Sequence, residues 1–140
     1  MASVHVYDTI KNYLVTAQAP TPIIDWDTID HQLEQSNNQF ICLEEVFSDE
    51  EVASFGDPTS ICMREFSSLA IHCYVPAPES SSVARALAEQ VQQSLRLLIV
   101  SNLRVVDLSP PQFDGANDGL WTAFSLTLDV EMDRHESLQP

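Results

Sequence analysis

The chain has 140 residues, 44% of them hydrophobic, and its 21 acidic residues stand against 6 basic ones for a formal net charge of −15. A length of this order suits one domain, which buries about 70% of the surface its unfolded chain would expose. Lys11 is the sole lysine, so the chain lacks the basic surface that neutralises nucleic-acid phosphates or holds to anionic lipid, and both count against it as partners.

Taken in order, Ser3 can cap a first helix over residues 3 to 16, in which Val6, Ile10 and Leu14 recur every four residues and Val4, Tyr7 and Tyr13 widen the stripe. Pro20 and Pro22 end it. Residues 22–26 (PIIDW) read as a brief edge strand, where a leading proline is tolerated. Residues 27–38 are polar and acidic and read as a surface connection with room for one helical turn. Residues 39–47 (QFICLEEVF) predict a strand, and the near-continuous apolar run from Phe40 to Leu43 predicts burial on both faces there. Residues 48–60 (SDEEVASFGDPTS) hold an acidic run, a glycine and a proline, and read as a long excursion from the compact body.

The stretch from Arg64 to Val100 is the organising unit: a strand, a polar turn and an amphipathic helix. Leu69, Ile71, Cys73 and Val75 alternate with Ser68, Ala70, His72 and Tyr74, so the two sets face opposite sides. Pro76 and Pro78 cannot donate to a ladder and stop the strand. Ser80, Ser81 and Ser82 are candidate helix caps, and Val83, Leu87, Val91, Leu95 and Leu98 form the helix stripe beside Ala84 and Ala88. Arg85, Glu89, Gln92 and Arg96 supply its wet side, and Ser101–Asn102 its stop. Residues 103–108 (LRVVDL) predict a strand, followed by a Pro-Pro break and a glycine-bearing loop. Residues 120–132 alternate most clearly: Thr122, Phe124, Leu126, Leu128 and Val130 against Trp121, Ala123, Ser125, Thr127 and Asp129. Residues 134–140 are polar and read as a flexible tail after a single domain over 1–133. The fold class expected is α+β, a small antiparallel sheet with two helices packed on one face.

The acid is dispersed through apolar segments, which marks a folded acidic protein and not a disordered tail. Cys42, Cys62 and Cys73 are odd in number and lack CxxC spacing, which reads as reduced, mostly buried thiols in a cytosol-made protein. The first residues do not follow a signal-peptide pattern, and no apolar run is long enough to span a bilayer.

Candidate chemistry is sparse. His72 and Cys73 are neighbours on a strand, so they point apart and cannot form one nucleophilic site. His5, His31, His72 and His135 are scattered, without zinc-ligand spacing. Glu44–Glu45 and Asp49–Glu50–Glu51 lack the glycine and ligand spacing of a calcium loop and read more simply as a solvated acidic edge. Gly56, Gly115 and Gly119 make no phosphate loop. No catalytic, cofactor-binding or metal-ligating residue is assigned. What remains is a binding or structural module. The strand faces bearing Ser68, His72 and Tyr74, and Trp121, Ser125 and Thr127, suit a subunit contact, with an ordinary solvated sheet face as the plain alternative.

From about residue 3 to 133, the pattern resembles the tail terminator (tail completion) proteins of long-tailed bacteriophages. The resemblance is carried by the N-terminal helix SVHVYDTIKNYLVT, the short run TPIIDW, the strand QFICLEEVF and the long strand MREFSSLAIHCYVP. The helix VARALAEQVQQSLRLL and the closing strands LRVVDL and LWTAFSLTLDVEMD complete it. It rests on element order and apolar pattern, not on an invariant motif. The turn PAPESSS departs from it in being poor in glycine, as does the acidic stretch 27–38.

The resemblance implies a non-enzymatic virion protein of the tail and neck, assembled in the host cytoplasm into a hexameric ring. Such a ring caps the head-proximal end of the tail tube, ends its polymerisation and presents a joint to the head–tail connector or stopper protein. DNA only passes through the opening, and no membrane is involved. An acidic lumen would repel DNA during passage. The 48–60 excursion is then a candidate tube contact, with Val52 and Phe55 as anchors and Asp49, Glu50 and Glu51 setting register; a passive surface loop is its rival. Two other readings stay open. One is another neck or head–tail joining component; the other is a small acidic DNA mimic, anti-defence protein or enzyme.

Overall fold

The computed structural model describes residues 3–29, 38–57, 60–76, 81–98, 103–117 and 121–137. The four-residue spacing of Val6, Ile10 and Leu14 puts them on one stripe of helix α1 (Ser3–Ala17), and all three are fully buried. Tyr13 and Gln18 tie that helix to α2 (Ser81–Arg96): the Tyr13 hydroxyl donates to the Ser94 carbonyl at 2.6 Å, and Gln18 Nε2 donates to Ser94 Oγ at 2.6 Å.

Both helices cover one face of a six-stranded sheet ordered β1-β2-β3-β6-β4, with β5 also on β6. The strands are β1 (Ile23–Asp25), β2 (Phe40–Asp57), β3 (Ser60–Pro76), β4 (Leu103–Leu108), β5 (Gln112–Asn117) and β6 (Trp121–Ser137). The α+β class is as the sequence predicts, with one refinement. Every pairing is antiparallel except β1 with β2, which is parallel, so the sheet is mixed.

The inner face, under the helices, is the one that strand alternation marks. Leu69, Ile71, Cys73 and Val75 on β3 lie beside Ile41 and Leu43 on β2 and Phe124, Leu126, Leu128 and Val130 on β6 in one core with Leu87, Val91 and Leu95 of α2. Full burial of side chains of this kind contributes roughly 1.5–3 kcal/mol each. Phe40 through Leu43 are all buried, which matches the expected two-sided burial. Helix α2 sits slightly rotated from the expected phase: Ala84 is buried while Val83 is exposed. Gln92, expected on the wet side, is consequently buried, and its Nε2 donates to the Ser109 carbonyl at 3.5 Å.

Three expectations are corrected. Residues 48–57 are not an excursion: they continue β2, paired in register with β3 out to Asp57 opposite Ser60. Local composition argued for a loop, but a partner strand satisfies the backbone ladder of even an acidic segment, and strand formation depends on such context. Residues 112–117, read as part of a loop, form β5. Finally, β6 runs on to Ser137 opposite Ser60, so pairing reaches into the segment expected to be a flexible tail. The candidate caps and stops at Ser80, Ser101 and Asn102 lie outside the described residues, as do Leu120 and residues 30–37 and 138–140.

Strands β4 and β5 lie end to end along the same side of β6, separated by Pro110–Pro111. Prolines cannot donate to a ladder. Ser109 bridges the gap, its N–H donating to the Thr127 carbonyl at 2.9 Å and its Oγ accepting from the Thr127 N–H at 2.8 Å.

Candidate functional site

The outer face of the sheet, away from the helices, has two unlike halves. In its distal half β2 runs beyond Glu45 with no strand on its far side among the described residues, since β1 reaches only the Asp25–Leu43 pair. Register shifts between Glu45 and Phe47 on β2 and between Val105 and Asp107 on β4 leave Val46 and Val106 as extra residues. The shifts meet at one level of the sheet, because Ser68 pairs with both Phe47 and Asp129, and Asp129 pairs in turn with Asp107. Bulges raise local twist and re-aim side chains. Phe47 and Val106 accordingly stand 57% and 60% exposed. With Phe66, Ser67, Ser68, Asp129 and Val130 they line a shallow depression of about 400 Å³.

Farther out, Arg64 Nε lies 3.0 Å from Asp133 Oδ1, while Arg104 reaches Glu131 at 3.0 Å and Asp133 at 3.2 Å. Hydrogen bonds from Arg64 and then Arg104 hold the Asp133 carboxyl below its usual range. Asp49, Glu51, Asp107 and Asp129 share this face by register. Asp107 and Asp129 stand directly opposite each other on adjacent strands, a like-charge pairing that is locally unfavourable.

Of the residues expected to contact a tail tube, Asp49, Glu50 and Glu51 lie on β2 opposite Phe66, Glu65 and Arg64. Alternation separates Glu50 from the other two and turns it to the inner side. Its opposite number Glu65 is wholly buried there and accepts from Ser67 Oγ at 3.3 Å. Val52 and Phe55 are placed by backbone pairing with Met63 and Ile61, their side chains lying outside what is described.

The proximal half of the outer face holds the expected subunit contact. Register does bring Ser68, His72 and Tyr74 to the same face as Ser125, Thr127 and Trp121. Half of that set is buried within the chain itself, which corrects the expectation of an open face. Tyr74 and Trp121 join Phe40, Cys42, Ala123 and Ile29 in a second small core. Phe40 stacks on Tyr74 with ring centres 4.9 Å apart, and Trp121 meets Phe40 edge-on at 5.2 Å. The 3₁₀ turn Trp26–Thr28 closes over this patch: Trp26 lies 4.7 Å from the His72 ring, and His72 Nε2 is 2.9 Å from Glu44 Oε1. Large aromatic surfaces gain most by such mutual burial. Ser68 and Ser125 stay half-buried and Thr127 exposed.

A further polar cluster was invisible in the sequence, where Tyr7 read as part of an apolar stripe. Its hydroxyl donates to Asp25 Oδ1 at 2.5 Å, and Lys11 Nζ lies 3.0 Å from the same oxygen. The Tyr7 bond, with help from Lys11, keeps the Asp25 carboxyl below its usual range, while burial and the same bond push the Tyr7 hydroxyl up. This cluster fastens α1 to the end of β1. Burial pushes the Cys42 and Cys73 thiols up to about 12, so both are poor nucleophiles.

Among the described residues, no group of three or more His, Cys, Asp or Glu is placed to hold a metal ion, and no helix is long and apolar enough to cross a membrane. Comparison with protein-family models and with curated proteins found no match for the chain.

Proposed function

We propose that this protein is a ring-forming virion component that caps the head-proximal end of a long phage tail tube, ends its polymerisation and offers a joint to the head–tail connector. The resemblance of the sequence to tail terminators motivates the reading. The observation that carries it is the pair of unlike sheet edges that are open among the described residues: β2 beyond Leu43 on one side and β4 on the other. Contacts between unlike surfaces are heterologous, and they give rings when the rotation closes. Asp49 and Glu51, projecting from an open edge strand, are suited to set register against a tube subunit. Termination of this kind needs no bond to be made or broken. The protein works by occupying the growing end, with DNA passing through an acidic opening to which it does not adhere.

Light scattering at high protein concentration, with and without isolated tail tubes, tests the reading. A discrete particle near six chains, together with negative-stain images of tubes capped at one end, is the expected result. A strictly monomeric protein that leaves tubes uncapped would end it, whereas rings that bind connectors and not tubes would indicate a different neck component.

A second reading, a DNA charge mimic, is favoured by one observation: the register gathers Asp49, Glu51, Asp107, Asp129, Glu131 and Asp133 on a single face. Arg64 and Arg104 among them weaken that field. A monomer that displaces duplex DNA from DNA-binding proteins would favour this reading over the ring.

A further inference from the structure

We propose that the depression between Phe47, Phe66 and Val106 is a docking site for a segment of another protein that presents a bulky apolar side chain next to a lysine or arginine. The proposal stands apart from the ring reading. Under that reading the segment would belong to the tube or the connector.

Three observations carry it. Two strand bulges at one level of the sheet turn Phe47 and Val106 outward beside Phe66, so apolar surface is gathered at a concave place. The hollow is shallow and open, unlike the enclosed pockets that bury most of a small ligand, and it suits a side chain carried on a peptide. Asp107 and Asp129 oppose each other at its margin, and neither is in an ion pair among the described residues. An incoming cation would relieve that repulsion while its apolar neighbour filled the hollow, which is how charge complementarity sets register at an interface.

A second copy of the chain is a poorer occupant. Of its 6 basic residues, Lys11, Arg64 and Arg104 are already in ion pairs, and Arg85 lies over the Phe124 ring at 5.0 Å. Each copy also carries a net charge of −15, so a self-contact here would set acid against acid.

The test uses the full chain, isotopically labelled, titrated with short synthetic peptides in which a phenylalanine or leucine is flanked by lysines. Control peptides replace the apolar residue by glycine or the lysines by glutamates. Saturable amide shifts centred on Phe47, Phe66, Val106 and Asp129 are expected with the basic-apolar peptides alone. Affinity should fall by about tenfold or more in Phe47→Ser and in Asp129→Asn, since a truncated anchor of an interface commonly costs that much. Val106→Ser, at a more exposed side chain, serves if either variant unfolds. Absence of saturable shifts with every basic-apolar peptide, equal binding of the glutamate controls, or shifts centred elsewhere would overturn the proposal. Concentration-dependent shifts at the hollow without peptide would also overturn it, by assigning the surface to self-association. Particle size measured without peptide reports on the ring independently.

Discussion

The two halves of the outer sheet face are built from the same three strands and differ in what covers them. In the proximal half Phe40, Tyr74 and Trp121 interlock beneath the turn at Trp26, and all three are buried, Tyr74 and Trp121 less completely than most of the core beneath the helices. A few residues along the same strands, carboxylates replace rings, Phe47 stands in solvent, and nothing in the described chain lies over it. A strand is thus not simply inward or outward on a given side. Burial of the second face is decided locally, by whether a covering segment brings enough apolar surface to exclude water. The contrast separates a part of the molecule that stabilises the fold from a part that is free to meet something else.

That contrast can be broken at several points. If the proximal half is core, Trp121→Ala will cost about 3–5 kcal/mol in a denaturant melt of the isolated chain. A melt unchanged by that substitution, with only assembly affected, would return Trp121 to an interface. On the helix side, Leu87→Ala sets the scale, with an expected loss of about 2–5 kcal/mol; comparable losses on the two faces would put the two cores on an equal footing.

Alkaline titration sharpens the comparison further, because Cys42 lies in the outer cluster and Cys73 in the inner one. Both folded thiols sit near 12 against an ordinary 9.0, so the stabilisation is complete below pH 9 and is lost as pH rises toward the folded value. Each thiol should lower stability by about 1 kcal/mol per pH unit across that window. Melts at pH 8 and pH 10 for Cys42→Ala and Cys73→Ala should each show about half the alkaline loss of the parent. If Cys42→Ala leaves that loss intact, the outer cluster is wetter than described. At the acid end the sign reverses. Asp25 and Asp133 have depressed values, so their contribution is present above about pH 4 and fades as pH falls, weakly because both are partly exposed. The smallest effect belongs to the distal half: Phe47→Ala should change stability by no more than about 0.5 kcal/mol. A large loss there would mean that Phe47 is packed, and the division between the halves would fail.

Much of the proximal molecule was legible because its signals are local. The four-residue stripe of α1 and the alternation of Leu69 to Val75 and of Phe124 to Val130 each declare a buried face without reference to distant residues. The distal hairpin was misread for the opposite reason. Residues 48–57 carry Asp49, Glu50, Glu51 and Gly56, all of which argue against a strand when taken alone, and their pairing partner is another strand, β3. Strand β5 was hidden by Gly115 and by the bulge after Phe113, which spoil alternation. The burial of Tyr74 and Trp121 could not be read either, since Phe40, Tyr74, Trp121 and Trp26 converge from four separate segments. The register shifts that shape the hollow at Phe47 have no sequence signature at all. Each places one extra residue, Val46 or Val106, on a strand whose partner has none to match it.

The Pro-Pro break beside Ser109 bears on how such a sheet resists growth at its edge. A long uninterrupted edge is a template on which other chains can polymerise into fibrils. Here the outer border of β6 is occupied by two six-residue strands separated by prolines, and the serine between them completes the bonding of Thr127 inward. A stray strand arriving from solvent therefore finds only a short length of ladder before it meets two residues that cannot donate. On the far border, Asp49, Glu50 and Glu51 impose an electrostatic toll on any acidic chain of the same kind. Among the described residues, both borders of the sheet are thus poor templates for amyloid-like growth.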